Sequence, residues 1–253
     1  MRTSRADSLF LVGATTLILA PAIQAQEEIL TAEYRELPNG SSELAITNNR
    51  EKQMVTAFIL FRPSSNPQVY RSAPDYHDIL FAPEQHDYSD AIMPLETRRF
   101  RTPPPSGKVK NESEKPKNEV EELKAAVFSD GTTWGDPEWV QRILECRRAY
   151  YTDLGVAVRK IRQALEEDTP IEQLRKEFEQ LQDSAPRPGD DFEHFGEFKA
   201  ARDIYGNILA HLPRASVAGQ DDPSSILARF LPMLATRQMV IGQSKPSIVP
   251  SSE

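Results

Sequence analysis

Two periodicities divide the chain. From Gln26 to Phe61 apolar residues come in short runs separated by turn formers. ILTAEYREL precedes Pro38-Asn39-Gly40, ELAIT follows it, and Asn48-Asn49 stands before MVTAFILF. That last run is apolar on both faces and rich in β-branched and aromatic residues, as suits a strand covered on both sides. Tyr76–Phe81 and Ile92–Phe100 read as further short strands, and Leu123–Phe128 (LKAAVF) as a closing one. Successive short strands with turn punctuation predict an antiparallel sandwich over 26–135 rather than βαβ units. The stretch 101–122, with three consecutive prolines and many charges, reads as a flexible loop interrupting it, too polar to offset the cost of ordering.

Beyond Gly135 the spacing becomes helical. Trp139, Ile143, Cys146, Tyr150, Leu154, Val158, Ile161 and Leu165 recur at steps of three and four, one apolar stripe. Arg142, Arg147, Arg148, Arg159, Lys160 and Arg162 lie off that stripe and are expected in solvent. A second helix is predicted from the capping box Thr169-Pro170-Ile171-Glu172, and a third from about Asp191. A fourth opens at Asp222-Pro223, with Pro232 expected to kink it. The helical region is thus 136–242, with a Ser/Pro-rich tail, 243–253, expected to be disordered. The fold class is α+β, an N-terminal immunoglobulin-like β-sandwich followed by C-terminal α-helices.

The first residues change the setting. Arg2 and Arg5 precede the apolar run Leu9–Ala20, and small residues follow up to Ala25. This predicts a signal peptide over 1–25, cut between Ala25 and Gln26, because the run is shorter than the roughly 20 residues that span a bilayer. The expected location is exported, periplasmic or extracellular, with no stable membrane anchor after cleavage. The formal charge of −8 becomes 28 − 37 = −9 without residues 1–25. Such acidity disfavours nucleic acid, whose phosphates are met by Lys and Arg. A single cysteine, Cys146, excludes an internal disulfide and a multi-cysteine zinc site. On the apolar stripe it reads as a packed thiol.

Two segments are candidates for chemistry. In Asp75–Asp90 (DYHDILFAPEQHDYSD), His77 and His86 stand beside Asp78 and Asp87, residue types that hold divalent metals. No H-E-x-x-H or H-x-H spacing puts two of them on one rigid face, and a polar surface loop is the competing reading. In FSDGTTWGDPEWV, Phe128 to Val140, the acids do not have calcium-loop spacing, and Ser129 lacks the glycine of a nucleophile elbow. Turn and cap roles account for it. Asp130-Gly131 makes a tight turn, Gly135 permits a bend, Asp136 caps the next helix and Pro137 opens it. Trp134 and Trp139 are expected at the seam between sandwich and helix.

The residues LKAAVFSDGTTWGDPEWV, followed by ILECRR, resemble a group of uncharacterised exported bacterial proteins. In these an immunoglobulin- or fibronectin-like sandwich ends in a V-x-F-x-D-G-T strand, then G-D-P and an Arg-rich helix. ELAITNNREKQMVTAFIL is similar to their second and third strands. The resemblance covers about residues 28–165 and implies a fold and an exported setting, without an activity. The expected function is a non-catalytic binding or structural module without a cofactor, recognising a protein or surface ligand. The alternative is a metal-dependent hydrolase using 75–90. A homodimer through the C-terminal helices is a further expectation.

Overall fold

Strand β3 (Val55–Arg62) is the centre of the structure, and Val55, Ala57, Phe58, Ile59 and Leu60 are all without solvent exposure. The coordinates are a computed structural model that describes residues 29–62, 73–81, 91–102, 121–188, 192–212 and 223–248. The strands of these segments are β1 (Leu30–Glu36), β2 (Ser42–Asn48), β3, β4 (Ala73–Asp78), β5 (Thr97–Thr102), β6 (Glu122–Phe128) and β7 (Thr133–Gly135). They form two antiparallel sheets, a three-stranded one ordered β1-β2-β5 and a four-stranded one ordered β4-β3-β6-β7. Four helices follow: α1 (Pro137–Glu166), α2 (Ile171–Ser184), α3 (Phe195–His211) and α4 (Pro223–Gly242).

Both faces of β3 are used. Phe58 and Leu60 join Leu30, Leu44, Ile46, Ala126 and Phe128 in a core shared by the two sheets. Ala57 and Ile59 face the other way, with Tyr76, Ala125 and Val127, onto Ile143 and Cys146 of α1. A register shift between Val55 and Ala57 is responsible for Val55 facing the first core and Ala57 the second. Such a bulge adds one residue to a strand and re-aims its neighbours. Here the extra residue is Thr56, whose side chain becomes available to the helix.

Helix α1, about 45 Å long at 1.5 Å per residue, serves two layers. Its first turns cover the four-stranded sheet. Its later turns place Tyr150, Leu154, Ala157, Val158 and Ile161 in a third core with α2, α3 and α4.

Several boundaries differ from those expected. Ile92 makes only an isolated bridge to Val55, and the strand starts at Thr97. Between them Leu95 takes a left-handed φ of 60° while the Glu96 carboxylate accepts from the Met93 amide at 2.6 Å, closing a turn. Strand β4 ends at Asp78 because its carboxylate accepts from the Leu80 amide at 3.0 Å, and a 3₁₀ turn, Ile79–Phe81, follows. The capping box at Thr169 does not form: Pro170 is the cap residue of α2 and no side chain caps it. Helix α3 begins at Phe195 rather than near Asp191, since Phe192 and His194 both adopt φ of 62°. Helix α4 runs through Pro232. Ile248, in the stretch expected as tail, is buried in the helical core. Most of the 101–122 loop lies outside the described residues, as does the whole of 1–28.

Candidate functional site

Arg147, expected in solvent, is completely buried. It follows Cys146 on α1, and that half of the helix faces the four-stranded sheet, so its side chain enters the layer between them. Its guanidinium meets the equally buried Asp78, Nε donating to Oδ2 at 2.6 Å and Nη2 to Oδ1 at 3.3 Å. Nη2 also donates to the Thr56 hydroxyl at 3.2 Å, and Nη1 to the Lys245 carbonyl at 3.0 Å. Asp78 accepts two more bonds, from the Tyr76 hydroxyl at 2.8 Å and from the Leu80 amide. All four acceptor positions of the carboxylate are thereby filled. Burial disfavours the Arg147 charge, yet the Asp78 and Tyr76 contacts hold its pKa above the ordinary arginine value. Burial, then the Asp78 charge, raises that of Tyr76.

This placement decides what Asp78 can do. Its lone pairs are committed to Arg147, Tyr76 and Leu80, and its neighbour His77 points to the opposite face of β4. There the imidazole stacks on Phe58 (centroids 4.6 Å apart) and lies near Phe100, with Nε2 3.2 Å from an Asp75 oxygen. The two described metal candidates are thus separated by the sheet itself. His86 and Asp87 lie outside the described residues, and among the described ones no group of three or more His, Cys, Asp and Glu could hold a metal. Cys146 is fully buried, and burial, then the Asp78 charge, pushes its thiol up to about 12. Almost no thiolate exists at neutral pH, so it is a packing group.

The corner at 128–140 follows the turn-and-cap reading. Asp130 Oδ1 accepts from the Thr132 amide and hydroxyl at 2.9 and 2.7 Å, and Gly131 has φ 89°. Arg50 secures this turn, donating to Asp130 and Thr132 while lying over the Phe128 ring. Asp136 caps α1 by accepting from the Glu138 amide at 2.8 Å, with Pro137 in the first turn. Asp136→Ala is expected to cost about 1 kcal/mol, read from urea unfolding curves. The tryptophans part company: Trp139 packs at the sheet–helix joint with Phe61, whereas Trp134 packs into the inter-sheet core.

An open groove of about 520 Å³ runs beside α1, where the start of α3 crosses it. The crossing is close because Gly196 has no side chain; a Cβ there would sit 2.9 Å from the Cys146 Cα. Phe192 closes one end against Trp139. Both charge signs line the groove: Arg142 and Arg148 on one side of the balance, Glu145, Asp153, Glu193 and Glu197 on the other, with His194 between. The His194 imidazole is 2.7 Å from a Glu197 oxygen, and Arg142 is held by Glu138 at 2.6 Å. Burial raises the Asp153 carboxyl above its usual range, against a hydrogen bond from Tyr205. The sequence signal for this groove was only a set of arginines on the outer side of α1.

A second polar cluster lies on the outer face of the three-stranded sheet. Glu43, with no exposed surface, receives Arg101 Nε at 2.9 Å, Arg99 Nη1 at 3.0 Å and Arg35 Nη2 at 2.5 Å. The Arg101 bond, aided by Arg99 and Arg35 and opposed by burial, lowers the Glu43 pKa from 4.5 to about 2. A carboxylate depressed on folding stabilises the fold above its unfolded pKa and loses that contribution as pH falls through its folded one. The stability gap between the native chain and Glu43→Gln should therefore be constant above about pH 5 and close toward pH 2. Urea midpoints measured across that range check it.

No protein-family model matches the chain, and no curated protein or solved structure matches it.

Proposed function

We propose that the chain is an exported, non-catalytic binding module, an immunoglobulin- or fibronectin-like sandwich with a helical layer, and that the groove beside α1 seats a peptide segment of a protein partner. The strand order supports the sandwich reading. First, second and fifth strands in one sheet, opposite fourth, third, sixth and seventh, correspond to the A-B-E and C′-C-F-G sheets of fibronectin-type domains. The export reading rests on the signal-like residues 1–25. No helix among the described residues is long and apolar enough to cross a membrane.

The observation that carries the binding reading is the mixed charge of the groove. Arg142 and Arg148 offer donors to a carboxylate, while Glu145, Asp153 and Glu197 accept from an amine or amide, around the apolar Phe192 and Phe195. A peptide carries both kinds of group on an apolar frame. Asp78 and Cys146 support the non-catalytic part, one saturated by hydrogen bonds and the other sealed in the core.

A photo-crosslinking residue at Thr152, exposed in the groove, tests this in the native compartment. A discrete protein adduct that disappears with Arg148→Glu is expected. Adducts indifferent to that change would overturn the groove reading. Stoichiometric zinc or manganese in the purified protein, lost with His77→Ala and His86→Ala, would instead favour a metal-dependent hydrolase.

A further inference from the structure

We infer that the outer face of the three-stranded sheet is a second binding surface, for an acidic polysaccharide bearing carboxylate or sulfate groups. Register puts Arg35, Glu43 and Arg101 in one row across β1, β2 and β5, with Arg99 two residues along β5. The side chains of Arg35, Arg99 and Arg101 are 57, 52 and 71 % exposed, whereas Glu43 beneath them is 0 % exposed. The carboxylate holds three guanidinium groups that would otherwise repel one another. Each spends one N–H on it in the contacts above, out of five. The remaining donors belong to groups that stay charged, are fixed in place and reach solvent.

The composition of the face selects the partner. Its other positions are Thr31, Glu33, Ala45, Thr47 and Thr97, and the Thr47 and Thr97 hydroxyls are paired at 2.8 Å. Counting Glu33 and Glu43 against the three arginines leaves a surplus of 3 − 2 = +1, on a chain whose total is −8. A protein interface is anchored by large buried aromatic or aliphatic groups, and among the described positions of this face the one apolar side chain is Ala45. Planar guanidinium forks match carboxylate and sulfate oxygens. Arg99 and Arg101, about 7 Å apart along the strand, suit a ligand that repeats its anionic groups. This surface lies on a different layer from the groove and does not depend on it.

Calorimetric titration of the full protein with heparin and with polygalacturonate, at 50 and 300 mM NaCl, provides the test. Binding to at least one polymer, weakened at least tenfold by Arg99→Ser/Arg101→Ser and by high salt, is expected, with Arg162→Ser, an exposed arginine of α1 outside both surfaces, unchanged. Should the double variant melt abnormally, Arg99→Ser alone is read at 50 mM NaCl. The proposal fails if neither polymer binds, or if the arginine variants bind as well as the native chain. It also fails if poly-glutamate or phosphatidylserine vesicles bind as tightly as the polysaccharides.

Discussion

Replacing Asp78 with Ala is expected to destabilise the protein by about 3–5 kcal/mol, the range for removing one partner of a buried ion pair. Arg147 would remain in a site with no exposed surface, left with the Thr56 and Tyr76 hydroxyls and the Lys245 carbonyl. None of them carries a charge at neutral pH. The loss should spread beyond the pair, since the same carboxylate orients Tyr76 and closes the turn to Leu80. Asp78→Leu combined with Arg147→Met should recover much of the stability, because two apolar groups leave no charge to bury. Urea unfolding of Asp78→Leu, Arg147→Met and their combination gives the coupling directly. Additive effects would mean that the pair does not act as one.

Gly135→Ala is expected to cost about 3 kcal/mol, well above the neighbouring cap variant Asp136→Ala. Two penalties combine. Gly135 has φ 98°, a region L-residues rarely enter, and its added Cβ would lie 2.2 Å from the Lys124 carbonyl oxygen and 2.9 Å from the Ala125 Cα. Backbone strain and overpacking each cost about 1–3 kcal/mol. The obstruction is backbone, and it cannot yield easily: the Lys124 carbonyl also accepts from the Asp136 amide at 3.0 Å. The same urea curves decide the order. Equal losses at 135 and 136 would show that the close approach is not a constraint.

The strands with continuous apolar runs and the stripe of α1 were legible in the sequence, because burial on two faces or one leaves a periodic record. So were Asp130, Gly131, Asp136 and Pro137, whose roles are met within a few residues along the chain. Arg147 was not. Charge places an arginine outside unless its partner is known, and the partner stands 69 residues earlier on β4. Asp78 and His77, adjacent in sequence, stand on opposite faces of β4, one toward Arg147 and the other toward Phe58. Trp134 followed strand alternation into the inter-sheet core, a consequence of β7 pairing with β6. The groove was invisible for a related reason: it is made by α3 crossing α1 at Gly196, and no local pattern records a crossing.

A fragment ending at Gly135 would contain all seven of the described strands and still lack a complete fold. Helix α1 is the lid of the four-stranded sheet, and cutting it away would bare Ala57, Ile59, Tyr76, Ala125 and Val127 together with the unmatched charge of Asp78. The strands and the helices should therefore melt in one transition rather than two. Whoever wishes to graft this domain elsewhere must carry the helix with it.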